Sequence, residues 1–205
     1  MKKLLFTAAI VAFGFTNINA QEEGSFGFAE GDLFVEGTLG LSSTNDKNAD
    51  AKTSQFNFSP KGGYFLSDDL AIGAQFNFGS GKETVSNLIT NEYSNTGVAV
   101  FGRYYFLDLG KRFKTFTELG MGFNTQNNKS ADYKVNTFGI GLDLGLNYFV
   151  KENIALTFSL DNLLGYATSK TDIDGDKGAN EFNLGLGEVN NPFGGTANFG
   201  VLFKF

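Results

Sequence analysis

The last ten residues of the chain alternate. Ala197, Phe199, Val201, Phe203 and Phe205 share one face, and Thr196, Asn198, Gly200, Leu202 and Lys204 share the other. A period of two is the signature of a β-strand. The same alternation recurs upstream and predicts strands over Gly31 to Ser43, Ser54 to Leu66, Leu70 to Gly79, Thr96 to Leu107, Phe113 to Asn124, Val135 to Val150 and Ile154 to Tyr166. Leu142, Leu144 and Leu146 oppose Asp143, Gly145 and Asn147 in the clearest of these. Each run has about ten residues or more, enough for a tilted crossing of a bilayer. The stretch Glu181 to Gly187 also alternates, but Asn190 to Gly195 interrupts it. It is read as part of an outer hairpin, with the eighth strand at Thr196 to Phe205.

The connections alternate in length. Ser67-Asp68-Asp69, Asp108 to Arg112 and Lys151-Glu152-Asn153 are short, whereas Thr44 to Thr53, Ser80 to Asn95, Thr125 to Lys134 and Ala167 to Asn180 are long and polar. Short periplasmic turns and longer outer loops mark bacterial barrels, and an even strand count then puts both termini in the periplasm. The expected fold is all-β: an eight-stranded antiparallel up-and-down transmembrane β-barrel over residues 31–205.

Alternation does not say which face looks outward, because a soluble ligand-binding barrel shows the same period with its apolar face inside. Aromatic residues break the tie. Tyr64, Tyr104, Phe106, Tyr148, Phe203 and Phe205 lie near the short turns, and Phe56, Phe58, Phe76, Phe78, Phe123 and Phe138 near the long loops. Two heights of aromatics suit two membrane interfaces. The apolar faces carry no charge over their centres, and the opposite faces are rich in Gly, Asn and Gln.

The N-terminus adds an export signal. Met1-Lys2-Lys3 supplies positive charge, Leu4 to Phe15 an apolar run, and Ile18-Asn19-Ala20 a small residue at a cleavage point before Gln21. The run has 12 residues, against the roughly 20 a spanning helix requires. Residues 1–20 are therefore read as a cleaved signal peptide and 21–30 as a short periplasmic tail. The net charge of −6, which falls to −8 once Lys2 and Lys3 are removed, argues against a nucleic-acid partner. The chain holds 27 Gly and 24 Phe but no cysteine, which excludes disulfides and thiolate chemistry.

Three stretches resemble the bacterial outer-membrane protein β-barrel domain family, the small barrels of OmpA and OmpX type. They are Ser59-Pro60-Lys61-Gly62-Gly63-Tyr64-Phe65, Phe101-Gly102-Arg103-Tyr104-Tyr105-Phe106 and Gly200-Val201-Leu202-Phe203-Lys204-Phe205. The resemblance implies residence in the outer membrane of a Gram-negative bacterium. It also implies recognition of the terminal strand, Phe203 and Phe205, by the insertion machinery. It does not imply one molecular activity, and a monomer with no cofactor is expected.

Charged residues on the inward faces form a belt. Glu36 and Lys61 share a height on neighbouring strands, as do Arg103 and Glu118, and Asp143 and Asp161 sit somewhat higher. A buried charge needs a partner, so the expectation is a salt-bridged lumen filled by side chains, in a structural or interaction barrel that displays polar loops. A small porin-like channel is the alternative. An enzyme is not expected: the chain lacks histidine, the side chain most readily poised near neutral pH. Asp172-Ile173-Asp174-Gly175-Asp176 resembles the start of a calcium loop, but Lys177 stands where glycine is required and Asn183 where glutamate is. An ordinary outer turn is expected there, and no metal site.

Overall fold

The computed structural model describes residues 26–86, 88–185 and 197–205. Its strands are β1 (Leu33–Asp46), β2 (Ala51–Phe65), β3 (Leu70–Val85), β4 (Leu88–Asp108), β5 (Phe113–Asn128), β6 (Tyr133–Lys151), β7 (Ile154–Thr171), β8 (Ala179–Leu184) and β9 (Ala197–Lys204). Each strand from β1 to β7 pairs antiparallel with its successor. β9 then pairs with β7 on one side and β1 on the other, which closes an eight-membered ring. β8 pairs with the upper part of β7, from Leu164 to Ser169, while β9 pairs with its lower part, from Ile154 to Leu160. Ala179–Leu184 is thus the return arm of an outer hairpin, and β9 is the strand that closes the barrel. The signal peptide expected over residues 1–20 lies outside the described residues.

The outward face is apolar and open. Leu39, Ile72, Phe76, Val100, Met121 and Phe123 are all exposed, and cross-strand aromatic pairs such as Phe123 and Phe138, with ring centroids 4.9 Å apart, stand on the same surface. An outside this apolar is stable only against lipid.

The strands outrun the lipid. β4 has 21 residues and β6 has 19, against the roughly 9–11 needed to cross. The segments expected as long loops are mostly barrel wall: Thr44 to Thr53 stays paired up to a turn at 47–50, and Ser80 to Asn95 is paired as far as Val85 with Leu88. The correction has a physical reason. Above the membrane both faces of a strand are wet, so the period-two hydropathy fades while the backbone ladder continues. Hydropathy marked the height of the lipid, not the end of the strand.

Inside, the end near the short turns is aromatic. Phe34, Phe65, Phe101, Tyr105, Phe116 and Phe149 form one buried cluster with Ala71, Ala155 and Leu202. Each inward phenylalanine of this layer stands directly across from a small residue on the adjacent strand. Phe34 faces Gly63, Phe65 faces Ala71, Phe101 faces Gly73, Phe116 faces Gly145 and Phe149 faces Ala155. A Cβ on Gly145 would lie 2.1 Å from Phe116 Cζ, and one on Gly63 would lie 2.3 Å from the Phe34 ring. Part of the abundance of Phe and Gly is thus explained: each inward ring stands across from a glycine or an alanine, which lets a narrow bore hold five of them.

Candidate functional site

The site is the lumen. β4 carries Phe101, Arg103 and Tyr105 inward at alternate positions. Arg103 is wholly buried, with Glu36 from β1 at 2% exposure and Glu118 from β5 at 3%. Its Nε donates to Glu118 Oε2 at 2.6 Å, and its Nη1 and Nη2 donate to Glu36 Oε2 and Oε1 at 2.8 and 3.3 Å. The paired contacts to Glu36 use the planar fork that arginine alone provides. Lys61 from β2 completes the group, with Nζ 2.7 Å from Glu118 Oε1 and 3.8 Å from Glu36 Oε1. Two cations and two carboxylates balance. The guanidinium also lies 4.1 Å from the ring centre of Phe116 and 5.2 Å from that of Phe34, an arrangement that favours a cation in a dry site.

A polar ring extends from this cluster around the bore. Arg103 Nη1 approaches Tyr105 Oη at 3.4 Å, Tyr105 donates to Asn147 Oδ1 at 2.6 Å, and Asn147 Nδ2 donates to Thr157 Oγ1 at 2.7 Å. Thr157 Oγ1 donates to Glu36 Oε2 at 3.2 Å, which returns the ring to Arg103. Tyr105, Asn147 and Thr157 fall on the inward faces by parity, but nothing in their residue types marks them as partners. Their role appears only when β6 and β7 come round opposite β1 and β4.

The six charges expected to form one belt divide into two groups. Glu36, Lys61, Arg103 and Glu118 meet. The simple pairs Glu36 with Lys61 and Arg103 with Glu118 are cross-strand neighbours, yet Arg103 holds both glutamates and Lys61 touches both as well. Asp143 and Asp161 stand above them. Asp143 Oδ1 accepts from the Asn162 amide at 2.7 Å. Asp161 accepts from Ser159 Oγ at 2.8 Å and Asn198 Nδ2 at 2.6 Å. A bulge makes this arrangement: Leu142 pairs with Leu164 but Leu144 pairs with Leu160, so Asp161, Asn162 and Leu163 oppose the single residue Asp143. Asn162 takes a positive φ of 56° within the bulge, a conformation that asparagine tolerates better than most residues.

The lumen is not filled along its whole length. Above the ion cluster lies a cavity of about 530 Å³, with Lys61, Glu118 and Phe101 in its floor and Asp143, Asp161 and Asn162 in its wall. Side chains fill only the half nearest the short turns. The expectation of a wholly filled bore is corrected on this point: the upper half is lined in part by glycines, and at Gly120 and Gly139 an added Cβ would meet nothing closer than 3.8 Å.

Of the tail expected over residues 21–30, the described part, from Phe26 on, packs against the barrel. Phe28 stacks on Phe65 at 4.2 Å between ring centres and meets Tyr105 at 4.7 Å and Phe149 at 5.2 Å. Arg112 lies over Phe26 at 4.5 Å, and Lys204 Nζ donates to the Gly27 carbonyl at 2.9 Å. Residues 26–32 therefore cap the aromatic layer from below. The sequence carried no signal for this, because the segment has irregular backbone and no period.

Of the terminal aromatics, Phe203 pairs with Val35 across the seam. Phe205 donates its amide to the Leu33 carbonyl at 2.8 Å and exposes its ring. At the calcium-like segment, Asp176 accepts from the amide and hydroxyl of Thr171 and from the Gly178 amide. Those hydrogen bonds hold its carboxyl down at about 2. The segment is a braced turn with Gly175 and Gly178 at positive φ. No group of three or more potential metal-ligating side chains occurs among the described residues.

Comparison with known proteins gives the same architecture. The crystal structure of OprG from Pseudomonas aeruginosa matches at 14% identity with a TM-score of 0.53, over 87% of this chain and 98% of that one. Neisserial surface protein A matches at 15% identity with a TM-score of 0.47, over 85% and 96%. No curated protein matches. The profile of the outer membrane protein beta-barrel domain covers residues 6–189. With the closed ring, the lipid-facing apolar wall and this match over most of its length, the chain belongs to the outer membrane protein beta-barrel domain family.

Proposed function

We propose that the protein is a non-conducting scaffold of the Gram-negative outer membrane that holds four tall polar hairpins above the lipid. In this reading residues 1–20 are a cleaved signal peptide, both termini face the periplasm, and Phe203 and Phe205 guide insertion of a monomeric barrel at residues 31–205. The observation that carries the reading is the two-tier closure of the lumen. The charge-balanced Arg103 cluster spans the bore, and the aromatic layer with Phe26 and Phe28 lies beneath it. An ion would have to disrupt both. No catalytic role is assigned, since each buried charge of the cluster is already held by a partner of opposite sign.

The test is conductance in planar lipid bilayers. Wild-type protein should give no steady current. A stable, ion-selective wild-type current would overturn the scaffold reading. The channel reading is favoured by one feature, the open cavity with two aspartates in its wall. It requires Asp143→Asn with Asp161→Asn to alter ion selectivity, whereas the scaffold reading expects no current to alter.

Orientation has its own test. Lys47 lies in the turn between β1 and β2, and Asp68 in the short turn between β2 and β3. A membrane-impermeant maleimide added to intact cells should label Lys47→Cys and leave Asp68→Cys unlabelled. The opposite pattern would invert the topology.

A further inference from the structure

Four strands share a pattern on the lipid-facing side that the apolar band does not require. Read upward from the band, the outward positions run Phe56, Ser54, Lys52 on β2 and Phe78, Ser80, Lys82 on β3. They run Phe138, Asn136, Lys134 on β6 and Tyr166, Thr168, Lys170 on β7. Each time the order is aromatic, small polar, lysine. All four lysines are exposed. Four residues cover roughly 13 Å of strand, or about 10 Å of height at the tilt of a barrel strand. The ammonium groups therefore stand just above the upper aromatics, where lipid hydrocarbon gives way to headgroups.

The lysines come as two diagonal pairs on opposite sides of the ring. Ser54 is the register partner of Lys82, so Lys52 and Lys82 are one outward step apart on adjacent strands. Asn136 is the partner of Lys170, so Lys134 and Lys170 stand in the same relation. Diagonal neighbours lie roughly 7–8 Å apart, close enough for like charges to repel. Neither Lys52 nor Lys134 is ion-paired among the described residues. The carboxylate facing Lys82 is Glu92, which is already paired to Lys129 at 2.9 Å. The hydrogen bond from Lys129 and its charge hold the Glu92 carboxyl below its usual range, with a smaller contribution from Lys82. Asp172, at the start of the turn above, accepts the Lys134 amide rather than its ammonium group. Lys170 contributes a little to holding the Asp176 carboxyl down, behind the hydrogen bonds from Thr171 and Gly178. A chain of net charge −6 thus places four lysines in a collar at one height, as two like-charged pairs.

We infer that the two lysine pairs, Lys52 with Lys82 and Lys134 with Lys170, each seat a phosphate group of a phosphorylated glycolipid in the outer leaflet. The apolar wall directly below each pair would take the acyl chains of the same molecule, so one lipid would be held at both ends. The leaflet assignment rests on the orientation proposed above. The binding itself does not depend on which way the barrel faces, so the maleimide labelling and the measurement below fail separately.

The experiment uses the full mature chain, folded in zwitterionic detergent, with bisphosphorylated lipid A as probe and bound lipid counted by native mass spectrometry. Wild type should bind two molecules per barrel, and should bind the same lipid stripped of its phosphates at least tenfold more weakly. At the energy of a lysine beside an anionic surface, the variant Lys52→Gln, Lys82→Gln, Lys134→Gln, Lys170→Gln removes two lysines from each site and should lose affinity on the order of 30-fold at both. Each two-lysine variant, Lys52→Gln with Lys82→Gln or Lys134→Gln with Lys170→Gln, should lose one site and keep the other, and these remain informative if the fourfold variant folds poorly. Lys47→Gln with Lys177→Gln, both at turn tips, should bind as wild type does. Undiminished binding by the fourfold variant, an equal loss in the turn-tip variant, or indifference to the lipid phosphates would each overturn the inference. If the deacylated, phosphorylated disaccharide bound as tightly as the intact lipid, the collar would be a site for soluble phosphosugars and the lipid assignment would fall.

Discussion

Arg103→Leu should destabilise the folded barrel by about 3–5 kcal/mol, the cost of leaving buried charge without its partner. The substitution leaves Glu36 and Glu118 together in the bore with only Lys61 to answer both. Water in the cavity above would lower the figure without changing its sign. Glu118→Gln should cost less, because Arg103 keeps its forked contact with Glu36. Arg103→Leu with Glu118→Leu should recover part of the loss, since Glu36 then retains Lys61 at 3.8 Å. Arg103→Lys should fall between wild type and Arg103→Leu, because an ammonium group restores the charge but cannot reach both carboxylates in a plane. The measurement is urea unfolding in lipid vesicles, read from the shift in gel mobility between folded and unfolded barrel. An Arg103→Leu midpoint equal to that of wild type would show that the buried charge cluster contributes nothing to the stability of the barrel.

The second large effect concerns the rings laid over small residues. Phe116→Ala should cost about 3–5 kcal/mol, as for other buried aromatics, because the ring is buried and braces the Arg103 guanidinium. Gly145→Val alone should also destabilise, by about 1–3 kcal/mol, because its Cβ would occupy the space of the Phe116 ring. The informative variant combines them. With the ring gone, the valine enters vacated space, so Gly145→Val should change sign and stabilise the Phe116→Ala protein. Simple addition of the two losses would show that Gly145 is required for some other reason than making room for the ring.

How much of this was legible follows from what each residue reports. Strand positions and faces were readable because alternation of apolar and polar residues is a local consequence of lipid on one side. Glu36, Lys61, Arg103 and Glu118 could be placed inward and at one height by counting. Their partnership could not be completed that way. Arg103 reaches Glu36 from β4 to β1, which are not neighbours in the ring, and only the curvature of the closed barrel sets that distance. Strand ends were misjudged for a related reason: the pairing of Ser80 to Asn95 depends on backbone hydrogen bonds, and those persist where the hydropathic pattern stops.

The sequence by itself determined a β-chain of period two, its lipid-facing side, the even strand count and the inward position of the ionic residues. All of these depend on which neighbours along the strand share a face and on how each side chain partitions between lipid and water. Tertiary structure decided that the ion cluster is one unit rather than two pairs and that Tyr105, Asn147 and Thr157 complete it. It also decided that Phe26 and Phe28 cap the aromatic layer and that the upper lumen stays open. These features depend on distances across the bore, which are fixed when β9 meets β1 and the sheet closes on itself.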